Sequence, residues 1–197
     1  MEIRLQEGPL GLNSALLGLG LSYGLTCTGC ETWADLTDNV QERLEKVAMN
    51  LAKRGNGENK YLRQILYIWD VRAPRFWWCE ADQYRIAVTT QSESTMHTLG
   101  KRDLVQDDFE SEIYPETLLN LNKMIRYWRE TKDKDTFLEI KCNLPEGFLQ
   151  RRIWSLNLQN MVNIYHQRAN HKLPQWYTVC EAFVDATPSF LRGELYS

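Results

Sequence analysis

Apolar and polar positions alternate most clearly from Ile65 to Val71, where Ile65, Tyr67, Trp69 and Val71 recur with period two. These residues are β-branched or aromatic, so the run predicts a strand. Arg72-Ala73-Pro74 closes it, because Pro74 has no amide hydrogen and suits the first turn of a helix. A helix is predicted over 75–85, with Phe76, Trp77, Ala81 and Tyr84 on one side. The next ten residues, VTTQSESTMH, have no apolar period and are predicted to be a polar loop. A strand and a helix thus deliver hydroxyl and amide side chains to one place, which is how binding loops are commonly held.

The same reading orders the rest of the chain. Residues 2–5 fit a short strand, and the apolar but glycine-broken run from about 10 to 28 fits a helix stabilised by packing. Asp38 is the expected N-cap of a helix reaching about residue 53, on the spacing of Val40, Leu44, Val47, Ala48 and Leu51. Residues 54–60 read as a glycine-rich turn, which lacks Walker spacing and precedes a strand instead of a helix. The charged run KRDLVQDDFESE is expected to be exposed. Helices are then predicted from Pro115 or Thr117 to about 131 and over 134–142, and Leu144-Pro145-Glu146-Gly147 is a break. Residues 150–156 form a second strand, residues 158–170 a helix, and Pro174 opens a last helix that Trp176, Val179, Cys180 and Phe183 dock.

The helix from Leu158 carries chemistry on one side. Leu158, Met161, Val162, Tyr165 and Ala169 make an apolar stripe, while Asn160, Asn163, Gln167, Asn170 and His171 share another side with Arg168 at its edge. A solvated face would carry Lys and Glu. Amides in their place suit fixed hydrogen bonds to a ligand, to a partner subunit or within a buried polar network.

Length and composition narrow the field. At 197 residues the chain fits one domain spanning 1–197, and a net charge of −3 with no basic stripe or helix-turn-helix pattern gives no reason to expect nucleic acid as a partner. The glycine-bearing run near the start lacks a basic flank and a cleavage pattern, so it is read as buried structure, with no membrane partner expected. Five scattered cysteines fit reduced cytosolic thiols, and Cys27 and Cys30 form one CxxC without the second pair a structural zinc needs, so no metal is expected.

The two polar clusters together resemble the active-site halves of the flavin-dependent thymidylate synthase family. Val71-Arg72-Ala73-Pro74 matches that family's strand end, and Gln83-Tyr84-Arg85 stands at its RHR-x7-S motif. Further on, Leu144-Pro145, Trp154-Ser155-Leu156-Asn157, Asn163 and Arg168 follow at the family's intervals. A second resemblance is to bacteriophage proteins that share Gly55 to Lys60, Ser94-Thr95-Met96-His97 and the run from Tyr165 to Trp176.

The resemblance implies an α/β (α+β) protomer with a mixed sheet packed by several helices, a homotetramer, FAD and nucleotide bound between subunits, and a folate as one-carbon donor. It implies a cytoplasmic protein of an infected bacterial cell. Carried over by position, Asn157 and Asn163 would face the flavin, Arg168 the nucleotide and the flavin, and Lys141 the nucleotide, while Arg85 keeps the last place of the triplet. Beyond that carry-over, Arg85 and Lys60 are candidate cofactor contacts, and Arg63, Ser92 and His171 candidate nucleotide contacts. Ser94, His97 and Arg168 would be the catalytic groups, with imidazole able to shuttle a proton near neutrality. The Ser94–His97 segment and the helix bearing Arg168 are expected to meet across a subunit boundary. Against the family pattern, Gln83 and Tyr84 replace an Arg and a His, the count places Glu93 at the motif's serine and only a one-residue slip brings Ser94 there, and Glu58-Asn59-Lys60 replaces H-x-T. Each lost cation would remove a phosphate contact of about 1.5–3 kcal/mol. Two function classes follow: a flavin-dependent one-carbon (methyl or hydroxymethyl) transferase acting on a pyrimidine deoxynucleotide, and a catalytically silent protein that binds or sequesters a nucleotide.

Overall fold

The computed structural model describes residues 1–25, 32–55 and 57–197, so the Cys27 and Cys30 pair lies outside the described residues. Strands β1 (Glu2–Leu10), β2 (Leu66–Pro74), β3 (Thr89–Ser92) and β4 (Leu149–Asn157) form one sheet in the order β1-β2-β4-β3. Arg75 N donates to Phe148 O at 3.1 Å, and Leu158 N donates to Ile65 O at 2.8 Å. Those two bonds flank β2 and β4 and fix them as an antiparallel pair. The helices are α1 (Leu12–Tyr23), α2 (Asp38–Ala52), α3 (Arg75–Ala81), α4 (Thr95–Thr98), α5 (Pro115–Thr131), α6 (Lys134–Asn143), α7 (Leu158–Arg168), α8 (Pro174–Ala186) and α9 (Ser189–Leu195).

Two compact units divide the chain, the first comprising Met1–Glu2, Val71–Tyr84 and Thr90–Ile153, the second Ile3–Asp70, Arg85–Thr89 and Trp154–Ser197. In the first, α5 packs on α6, and Leu99, Leu121, Ile125, Ile140, Leu144 and Phe148 share one buried core. Gly100 is required there, because a Cβ would fall within the Trp128 ring. The buried Asn122 side chain brackets one residue, accepting from Leu104 N at 2.7 Å and donating to Leu104 O at 2.9 Å. In the second unit the core is aromatic, with the Phe183 ring 5.3 Å from Trp69 and 5.9 Å from Trp154. Trp176, Val179, Cys180 and Phe183 are all buried, as the spacing of α8 predicts.

Several expectations need correction. The first strand runs to Leu10, and Thr37, not Asp38, caps α2. Helix α3 stops at Ala81 rather than at 85, and the chain leaves it through a turn in which Ala87 adopts φ 56°. The stretch expected as a loop contains β3 and α4. All four residues of β3 are exposed, so no burial constraint demanded the apolar alternation whose absence argued for a loop. In the run expected to be exposed, Leu104, Asp108 and Phe109 are buried. Asp108 tolerates this because Arg102 forks onto it at 2.7 and 2.5 Å. A further helix, α9, follows α8 and buries Leu191 and Leu195.

Candidate functional site

Strand β4 delivers Asn157 to the start of α7, where it forms a reciprocal cap. Asn157 Oδ1 accepts from Asn160 N at 2.9 Å, and Asn160 Oδ1 accepts from Asn157 N at 3.3 Å. Two backbone donors of the helix start are thereby satisfied. Asn157 is 4% exposed, and with Oδ1 engaged in the cap its Nδ2 is the group it can offer a ligand. The Asn160 amide then donates to Ile86 O at 3.0 Å, which fixes the segment carrying Arg85 beside α7.

Further along α7, Gln159 Nε2 donates to Asn163 Oδ1 at 3.1 Å. Gln159 Oε1 is buried and has no hydrogen-bond partner among the described residues. A buried acceptor left without a donor is costly, and it marks a place where a ligand N–H would be stabilised. At the far end of α7 the Arg168 guanidinium lies 5.0 Å from the Trp176 ring centroid, and the His171 ring meets Trp176 edge-on at 6.5 Å. His171 Nδ1 accepts from Leu173 N at 3.2 Å, which leaves the ring proton on Nε2. Lys60 and Arg63 are exposed on a 3-10 turn, Lys60–Gln64, that packs against α7. Lys60 also lines a cavity of about 340 Å³ with Arg54 and Glu58. The second unit therefore gathers Asn157, Asn163, Arg168 and His171 along α7 and its C-terminal turn, with Arg85 tethered to it and the Lys60 turn packed on it.

Ser92, Ser94, His97 and Lys141 belong to the first unit. Ser94 is the N-cap residue of α4, its carbonyl accepting from Thr98 Oγ1 at 3.0 Å, and His97 is exposed on that helix. Lys141 Nζ donates to Thr95 Oγ1, so the position that the resemblance assigned to the nucleotide reaches the serine-threonine segment. Burial, and then the nearby Arg75 charge, lower the Lys141 ammonium pKa below its ordinary value. Ser92 lines a cavity of about 480 Å³ together with Arg151 and Arg152.

The first unit also holds cations that the sequence reading did not single out. Arg72, Lys101, Arg102 and Arg151 line one cavity of about 550 Å³. The Arg151-Arg152 pair inside a strand, with Arg72 on the neighbouring strand, was the signal available for them. Arg152 is used structurally: it spans Asp82 at 2.9 Å and stacks 4.3 Å from the Trp78 centroid.

No family model and no curated protein matches the sequence. Among solved structures, the chain superposes on the flavin-dependent thymidylate synthase ThyX from Helicobacter pylori, complexed with FAD and dUMP, at a TM-score of 0.73. The match covers 99% of this chain and 98% of that one at 17% identity. A second structure of Thymidylate Synthase X from Helicobacter pylori, with FAD and dUMP, also gives 0.73, covering 99% and 97% at 16% identity. At such identity the likeness is one of fold: this chain has the flavin-dependent thymidylate synthase fold, with the α/β class expected for it.

Proposed function

We propose that the protein is a nucleotide-binding flavoprotein of the flavin-dependent thymidylate synthase type, with FAD seated on the amide face of α7. The observation that carries this is the unsatisfied, buried Gln159 Oε1 beside the Asn163 amide. An isoalloxazine ring presents one N–H donor flanked by two carbonyl acceptors, and an amide row can match such an edge. Asn157 Nδ2, Asn163 and Arg85 would hold the ring, with Lys60 toward the cofactor's diphosphate. Arg168 and His171, both resting on Trp176, would take phosphate oxygens, with Arg63, Lys141 and Ser92 as further nucleotide contacts and Ser94 and His97 nearest the chemistry.

Reduced FAD supplies hydride when bound, and the reaction proposed is transfer of a one-carbon unit from a folate to a pyrimidine deoxynucleotide. The chain's own contribution is to hold the ring through amides, neutralise phosphate through arginine and exclude water around Trp176. The ligand site is proposed to be completed by a second copy of the chain, in a homotetramer, and native mass spectrometry reports that assembly directly. The bacteriophage assignment and a cytoplasmic setting belong to the same proposal, as does treatment of the whole chain as one functional domain.

A second reading is favoured by Glu93, whose carboxylate stands where the family pattern has serine, and by Gln83 and Tyr84 in place of cationic groups. It is a protein that sequesters a nucleotide without converting it. Incubation with FAD, a reductant, methylenetetrahydrofolate and dUMP separates the two: a methylated product identifies the enzyme, and dUMP recovered unchanged from a tight complex identifies sequestration. A colourless protein whose melting temperature is indifferent to both FAD and dUMP would refute both.

A further inference from the structure

The cleft between α7 and α8, within the second unit, has a chemistry that the flavin reading does not use. Its volume of about 380 Å³ suits a small organic ligand. Tyr165 of α7, Ala169 at its C-cap and Val184 of α8 form the walls. Cys180, 2% exposed and making no hydrogen bond among the described residues, forms the floor. Burial pushes its thiol up to about 12, so the floor is neutral at physiological pH. Charge enters from α8, where Glu181 and Asp185 stand about one turn apart and line the same cleft, both exposed at its edge. No cationic side chain among the described residues lines it.

Carboxylates at i and i+4 repel, and the negative end of the helix dipole adds to the cost near Ala186. The last turn of α8 has no basic residue to offset either effect. Arg192 reaches back from α9, but its Nε donates to Thr187 O at 2.7 Å and its Nη2 to Asp185 O at 2.5 Å. It therefore caps main-chain carbonyls and offsets part of the dipole, while neither Glu181 nor Asp185 forms an ion pair among the described residues. Tyr177 Oη donates to Glu181 Oε1 at 2.6 Å, which steadies that carboxylate and leaves its second oxygen open. The rings favour the same kind of ligand: Tyr165 is held edge-on against Tyr196 at 4.7 Å, Tyr177 is exposed at the rim, and tyrosine faces attract cations. An ammonium group carries three N–H donors, which Glu181, Asp185 and the Asn170 amide oxygen can accept. The structure assigns this cleft to a small organic ammonium ion, its head between Glu181 and Asp185 and its alkyl stem against Tyr165 and Val184. The assignment goes beyond the flavin reading and does not rest on it.

Calorimetry on the full chain at fixed ionic strength, with n-butylammonium chloride as the probe, tests it. Binding should be saturable, and n-butanol, the neutral analogue, should bind about tenfold more weakly or not at all. In Glu181→Gln/Asp185→Asn, both exposed positions, affinity for n-butylammonium should fall about tenfold or more, while the circular dichroism spectrum and FAD binding, read from flavin absorbance, match wild type. Absence of saturable n-butylammonium binding, or equal binding by the double variant, would overturn the site. Equal binding of n-butanol would overturn the cationic assignment, and tighter binding of ammonium chloride or magnesium chloride would overturn the organic one. Saturable n-butylammonium binding by a protein that takes up no FAD would uphold this cleft while the flavin reading fails.

Discussion

Asn160 donates its amide hydrogen to the carbonyl of Ile86 at 3.0 Å, while its Oδ1 closes the cap with Asn157. One side chain thus fixes both the start of α7 and the turn that follows Arg85. Asn160→Ala should cost about 1–2 kcal/mol of stability, the sum expected for a weakened cap and one lost bond. It should also weaken FAD binding, since Arg85 loses its tether. Urea unfolding and flavin titration on the same preparation measure the two effects.

The aromatic cluster of the second unit makes a contrasting case. Phe183 is fully buried against Trp69 and Trp154, so Phe183→Ala should destabilise by about 3–5 kcal/mol through lost burial and the cavity left behind. Ligand affinity of the fraction that remains folded should be unchanged, because the ring is not on the amide face.

Much of this scaffold was legible in the chain. The period-two run at Ile65–Val71, the apolar spacing of α5 and α8 and the breaks at Pro74 and Pro145 each placed an element close to its observed bounds. Elements were misread where local pattern carries no burial information. Strand β3 is exposed along its length and shows no alternation, and α9 is too short for a helical period to establish itself. The charged run around Asp108 looked solvated because the sequence cannot show that Arg102 folds back onto it. At the candidate site, the amide face of α7 was visible from residue type alone. The split between structural and ligand-facing amides was not, since Asn157 and Asn160 differ from Asn163 only in what the fold places beside them.

Asp108 gives an acid-sensitive element. Burial by itself would raise its carboxyl pKa, but the Arg102 hydrogen bonds, the Val105 N–H and the Arg102 and Arg72 charges outweigh that and hold it below the usual range. The folded value lies under the unfolded one of about 3.9, so the stabilisation is present above that pH and is lost as pH falls through the lowered folded value. Asp108→Asn should therefore be less stable than wild type at neutral pH and show a flatter acid limb below about pH 4. Chemical denaturation across that range checks it.

Gly100 tests packing in the first unit. Gly100→Ala drives a methyl into the Trp128 ring, which is itself packed 4.9 Å from Phe137, so it cannot move aside freely. A loss of about 1–3 kcal/mol is expected, with a shift in tryptophan fluorescence.

The amide face of α7 is most directly tested by titrating FAD into wild type and into Gln159→Leu/Asn163→Leu, following flavin absorbance. Asn163 is exposed and Gln159 half-buried, so the pair can be changed with the fold intact, and an unaltered circular dichroism spectrum verifies this. Saturable FAD binding by wild type, weakened about tenfold or more in the double variant, is the predicted result. Wild-type protein that binds no FAD, or a double variant that binds it equally well, would contradict the assignment of flavin to α7.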